Sequence, residues 1–339
     1  MSDCRYSRTV LVYLLPIILL IGSLFVGRYQ TPVSAVVDES MKAFSSLFFS
    51  TPASVSIQHT VLFNVRLPRI LAALLVGASL STAGVSFQGI FRNPLVSPYI
   101  LGVGAGAGFG ACLAILLWDS YLLIQLMAFA FGLLAMFLAI SMGKASKGSG
   151  TLIFVLSGII VSSIFTALTS LVKYVADPYD ELPAIVFWLM GSLATVRYGD
   201  LLYIALPMFT GALVLFLLRW RINILSLGDE EAKALGMNVE KMRLIIIVCA
   251  TLMTSAAVSI SGVIGWIGLV VPHISRMIVG PNYSRLLPMS MVIGASFMLL
   301  VDDLSRTIAA TEIPLGILTS LVGAPLFAYL IKRGRMGWN

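Results

Sequence analysis

The chain has 339 residues, of which 59% are hydrophobic and 11% charged, with a mean hydropathy of +0.99. Soluble domains carry roughly 25% charged residues, so this chain lacks the polar surface needed to stay in water. Its net charge of +7 comes from basic residues that punctuate apolar runs, not from the basic stripe of a nucleic-acid-binding face, and no nucleic-acid partner is expected.

Those uncharged runs far exceed the ~10 residues of a barrel strand, so the expected fold is an all-α integral membrane protein. Taken in chain order, they predict about ten transmembrane helices, at 9–27, 70–91, 95–118, 120–142, 151–172, 200–218, 244–262, 264–280, 286–305 and 313–331. Most approach the ~20 residues that cross a bilayer. The first follows Arg5 and Arg8 but is too long for a signal-peptide core and lacks a small-residue cleavage pattern, so it reads as a span. Residues 244–275 carry no charge yet are too few for two full spans. A split at Gly262 and Gly265 leaves the second helix short or partly re-entrant. The stretch 183–196 is also too short to cross, and a short outer-face helix is expected at about 181–196. The loops 28–64, 173–200 and 219–243 are too small to hold independent cores. Residues 1–339 therefore read as a single transmembrane domain.

Charge sets the orientation. With the N-terminus inside, 15 of the 22 Lys and Arg residues fall on the inner side, and 10 of the 15 acids fall outside. The positive-inside rule then places both termini in the cytoplasm and the chain in the plasma membrane.

The most polar segment is LSLGDEEAKALGMNVEKMR, residues 225–243. Asp229, Glu230 and Glu231 suit the positive end of a short helix after Gly228. Gly236 would stop that helix, and Asn238 would cap the next. Such an element at the inner surface reads as a docking knob or as a solvated connector. Gly102, Gly104, Gly106, Gly108 and Gly110 follow no strand and precede no ribose-binding acid, so their overlapping Gly-x-x-x-Gly spacing predicts close helix packing, not nucleotide binding. A phosphate-binding Gly-x-x-x-x-Gly-Lys-Ser/Thr loop is absent: Gly143-Lys144 is followed by Ala145. His59 and His273 are too far apart to form a zinc pair, no metal site is expected, and His273 is expected to hydrogen-bond a neighbouring loop. Cys4, Cys112 and Cys249 have no disulfide or metal spacing.

Four further segments fall in order along the chain. They are NVRLPRILAALLVG (64–77), FRNPLVSPYILGVGAG (91–106), GVIGWIGLVVPHISR (262–276) and EIPLGILTSLVGAPLFAY (312–329). Together with the 225–243 loop they resemble the permeases of ATP-binding-cassette importers for ferric siderophores, haem and cobalamin. Trp266 stands where that family usually carries phenylalanine, and Val96-Ser97 replaces a frequent Ala-Asp pair.

The resemblance implies a machine with several chains. Two copies of this chain would enclose a central pathway, two copies of a cytoplasmic ATPase would supply the energy, and an extracytoplasmic binding protein would deliver the cargo. This chain itself would be no enzyme and would bind no cofactor, ATP and magnesium being held by the ATPase. Gly228, Asp229, Glu230, Glu231, Ala232, Lys233, Ala234, Leu235 and Gly236 would couple to the ATPase. Arg66, Arg69 and Arg306 would meet acidic residues of the binding protein, a role that competes with lipid anchoring for the first two and with pairing to Asp302 or Asp303 for the third. Ser162, Thr166, Thr169 and Ser170 share one helix face, and with Thr319 and Ser320 they would line the pathway. Gly148, Ser149, Gly150 and Thr151 would form the cytoplasmic gate. The expected cargo is a metal chelate, a ferric siderophore first, with haem, cobalamin or an oxyanion such as molybdate also open. An ion-coupled secondary transporter is the alternative, but that class places ionisable groups mid-membrane, where these spans have none.

Overall fold

The computed structural model describes residues 2–29, 31–46, 56–118, 120–145 and 151–332. Among them there are thirteen helices and no strand. In chain order these are α1 (Ser2–Phe25), α2 (Val33–Ser46), α3 (Ile57–Ile90), α4 (Val103–Trp118), α5 (Tyr121–Ala145), α6 (Thr151–Val175), α7 (Glu181–Met190), α8 (Tyr198–Leu227), α9 (Asp229–Ala234), α10 (Val239–Ser261), α11 (Ile267–Val279), α12 (Tyr283–Thr307) and α13 (Leu315–Lys332). Each of the ten predicted runs contains one helix. Six helices (α3, α5, α6, α8, α10 and α12) are long and apolar enough to cross a membrane, and the apolar parts of α1, α4, α7, α11 and α13 are shorter. At ~1.5 Å per residue, the 13 residues of α11 cover only about two-thirds of the hydrocarbon thickness, the short helix that the split of 244–280 predicts. The charge asymmetry makes the end bearing Asp180 and Glu312 the outer one.

Three boundaries differ from the sequence reading. The predicted loop 28–64 contains α2, a helix with polar and apolar faces. The second span starts at Ile57 instead of residue 70, because Arg66 and Arg69 lie inside the helix, Arg66 hydrogen-bonded to main-chain carbonyls and Arg69 paired with carboxylates, and so do not end it. Ser56 caps this helix by accepting from the His59 amide at 2.9 Å, and Thr60–Arg66 widens into a π turn. The outer-face helix ends at Met190, not at 196.

Burial sorts the spans into an inner and an outer set. In α3, 78% of the apolar window is buried, against 22% in α6. Lipid is as apolar as leucine, so small side chains that let backbones approach dominate the packing. Along α3 these include Gly77, Ser81 and Gly84, and Ser81 Oγ donates across to Ser290 O on α12 at 2.8 Å. The glycine repeat in α4 serves the same end: a Cβ on Gly106 would lie 2.7 Å from Ala135 Cβ, and one on Gly110 would lie 2.8 Å from Phe131 Cβ. Close packing of α4 on α5 explains both positions.

Candidate translocation pathway and coupling surface

The inner loop folds as its local signals dictate. α8 ends at Gly228, α9 follows with three acids in its first turn, and Gly236 adopts a φ of +77° that ends the element. Asn238 then caps α10 by accepting from the Lys241 amide at 3.0 Å. What fixes α9 in place is a pair the local pattern does not announce. Asp229 accepts from Arg243 Nη2 at 2.8 and 2.9 Å, and Arg92 Nη2 stands 3.8 Å away. Ala232 is buried against the bundle. Glu230 and Lys233 pair at 3.2 Å in the open, and Leu235 is 65% exposed beside them. The outcome is a small, rigidly mounted surface of one ion pair and one leucine.

The hydroxyls placed along the pathway divide. Thr166 and Ser170 on α6 and Ser320 on α13 are exposed. Thr169 and Thr319 are buried; Thr169 donates to Phe165 O at 2.8 Å, and Thr319 to Gly316 O at 3.2 Å. Ser162 is half-buried against the Gly102 turn, where a Cβ would meet its Oγ at 3.2 Å. These three therefore belong to helix packing. A shared helical face does not ensure exposure when α4 and α5 cover part of it. The open face gains a residue the sequence reading missed, the exposed Ser163, which is bonded to Ile159 O at 2.9 Å. Gly148, Ser149 and Gly150 lie outside the described residues; Thr151 opens α6.

At the outer end, α7, α10 and α13 meet through main-chain atoms. Gly191 turns with a φ of +80° and Gly262 with +67°. The Ser192 amide donates to Ser261 O at 2.9 Å, and the Leu315 amide donates to Gly191 O at 2.9 Å. A Cβ on Gly262 would collide with Trp188 O, so no side chain fits there.

The three outer arginines correct an expectation. All are buried, and each is held by partners inside the chain. Arg66 holds Leu24 O at 2.6 Å and Thr31 Oγ1 at 2.8 Å, and also bonds Tyr29 O. Arg69 forks between Asp302, at 2.9 and 3.1 Å, and Glu312, at 2.9 Å to both oxygens. Arg306 pairs with Asp302 at 3.2 Å and with Asp303, and its Nη2 donates to Ser23 Oγ at 2.7 Å. A guanidinium buried in hydrocarbon needs such partners. These side chains clamp α1, α3, α12 and the start of α13 together. They present no free charge at the outer surface.

The segments read as family-like meet in pairs. Arg69 of the first binds Glu312 of the fourth, and His273 Nε2 of the third lies 3.2 Å from Pro94 O of the second. That contact is the loop bond expected for His273. Tyr99 Oη donates to Ile264 O at 2.7 Å, and a Cβ on Gly323 would touch Trp266 Cβ at 2.6 Å. Among the described residues no group of three His, Cys, Asp or Glu side chains could hold a metal ion.

Comparison with known proteins matches residues 14–333 to the FecCD transport family. The molybdate import system permease protein MolB of Haemophilus influenzae is 45% identical over 328 residues, 95% of each chain. The hemin transport system permease protein HmuU of Yersinia pestis is 39% identical over 281 residues, 80% of this chain and 83% of that one. A solved structure described as an inward-facing conformation of a proposed metal-chelate type ABC transporter shares 41% identity and a TM-score of 0.85, across 98% of this chain and all of the other.

Proposed function

The chain belongs to the FecCD transport family, and from that premise we propose that it is the permease subunit of an ATP-binding-cassette importer for a metal chelate. Ferric siderophore is the first choice of cargo. Haem, cobalamin and molybdate are the competing ones, each named for a relative. Two copies of the chain enclose the pathway, with the hydroxyl-bearing faces of α6 and α13 turned toward it. The open face of α8, by comparison, carries Leu202, Leu206, Phe209, Leu213 and Leu217, a surface suited to lipid. A binding protein delivers cargo at the outer end, and residues 148–151 act as the inner gate.

The observation that carries this reading is the mounting of α9. It sits between two long spans and is pinned to α10 through Asp229 and Arg243. A partner that grips Glu230, Lys233 and Leu235 and then moves would carry α8 and α10 with it. That is what a transporter without its own nucleotide site requires. ATP and magnesium belong to that partner. The rival reading, ion-coupled transport, needs a carboxylate free to load a proton or sodium. Asp302 is fully buried, but both of its carboxylate oxygens are taken up by Arg69 and Arg306, so neither is free to load an ion.

Reconstitution tests the proposal. In vesicles with its ATPase and binding protein the chain should accumulate chelate when ATP is supplied, and removal of 229–236 should abolish accumulation while membrane insertion persists. Accumulation by the chain alone, driven by an ion gradient, would overturn the proposal.

A further inference from the structure

A cavity of about 650 Å³ opens at the outer end between the start of α5, α7, the end of α10 and the start of α13. Its size and its mostly apolar lining are those of an organic-ligand pocket. Phe187 and Trp188 of α7 line it, and Phe187 is 65% exposed. Most of its polar groups are already engaged. Tyr121 Oη lies 3.2 Å from Thr195 O and 3.1 Å from Asp200 Oδ2. Glu312 is held by Arg69, and Ser259 Oγ donates to Ala256 O at 2.9 Å.

Two groups differ. Gln125, one turn into α5, is only 7% exposed; its side chain lies against the Tyr121 hydroxyl, yet Nε2 makes no well-formed hydrogen bond. A buried amide donor left unmade costs about 1–3 kcal/mol, so it calls for an acceptor that arrives with a ligand. Arg28 is exposed at the same cavity and makes no salt bridge among the described residues.

We infer that this cavity is a cargo subsite for the organic shell of a chelate, with Gln125 and Arg28 donating to its oxygen atoms and Phe187 and Trp188 packing on its carbon skeleton. The inference rests on the importer reading and narrows its cargo. A bare tetrahedral oxyanion needs several converging donors and gains nothing from two aromatic walls. Carbonyl, carboxylate or hydroxamate oxygens spaced along an organic arm use one amide, one guanidinium and the apolar surface between them.

The test uses the full chain assembled with its ATPase in lipid vesicles, with a radiolabelled ferric trihydroxamate chelate and labelled molybdate as probes. The chelate should be retained without nucleotide, and Gln125→Leu should weaken its retention by about fivefold to tenfold, the loss of one hydrogen bond. Phe187→Ser, at an exposed position that folding does not depend on, should weaken it as well. Unchanged retention in both variants, no retention by the wild type, or tighter holding of molybdate than of chelate each overturns the subsite. ATP-driven accumulation measured in the same vesicles separates the two ideas. Accumulation indifferent to both substitutions sinks the subsite alone, whereas its absence in the wild type sinks the importer reading.

Discussion

Arg69 and Glu312 are separated by 243 residues, yet the guanidinium of one donates to both carboxylate oxygens of the other at 2.9 Å. The same arginine grips Asp302, so one side chain fastens α3 to α12 and to the start of α13. Arg69→Met should cost about 3–5 kcal/mol, because it strands a buried carboxylate. The double variant Arg69→Met with Asp302→Leu should lose less than the two single losses combined. Thermal unfolding in detergent reads the cycle, and strict additivity would show that the pair is not coupled.

The mounting of α9 predicts a separation of effects. Asp229→Asn releases the fork to Arg243 and should reduce ATP-driven uptake by about tenfold, the worth of a charge-assisted bond. Leu235→Glu alters only an exposed side chain. It should weaken co-purification of the ATPase while leaving the unfolding temperature of the permease within a degree or two of wild type.

Thiol labelling can map the open face of α6 and α13. In a chain lacking Cys4, Cys112 and Cys249, cysteines at Thr166, Ser170 and Ser320 should react with a small polar maleimide in the assembled importer. Those at Thr169 and Thr319 should stay protected, since both positions are buried in helix packing. Equal rates at Thr166 and Thr169 would contradict the assigned face.

Two glycines with similar backbone angles should respond differently. Gly236 has a φ of +77° with open space around it, so Gly236→Ala should cost about 1–2 kcal/mol of backbone strain alone. Gly262 has a φ of +67° and the Trp188 carbonyl packed on it. Gly262→Ala adds a collision to that strain and should sharply reduce folded yield, as judged by size-exclusion profiles at matched expression.

What could be read in the sequence was what is local. The α9 element is a matter of adjacent residues, and its acids, Gly236 and Asn238 all act where their spacing places them. The ten apolar runs each hold a helix because hydrocarbon leaves the backbone few other choices. Charged residues were harder to read. Arg66 and Arg69 looked like the edge of a span, and only Asp302, Glu312 and the main chain around Leu24 explain why a helix can carry them inside. Arg306 shows the intermediate case. Its partners three and four residues away were legible, but the choice between those and a docking protein needed the fold. Thr169 and Thr319 were placed on the right helices, and their burial was decided by neighbours that periodicity cannot see. α2 escaped notice because its apolar positions at Val33, Val36, Val37 and Met41 are interleaved with Asp38, Glu39 and Lys42, and that amphipathic spacing was the available signal.

The outer junction of α7, α10 and α13 is tied by main-chain bonds, from Ser192 to Ser261 and from Leu315 to Gly191. Such a knot is blind to side-chain identity, apart from the two glycines that let the strands of chain come so near. Residues around it can be exchanged through evolutionary drift while the helices keep their register. A lineage could thus alter the side chains around this outer end one substitution at a time and never dismantle the frame beneath them.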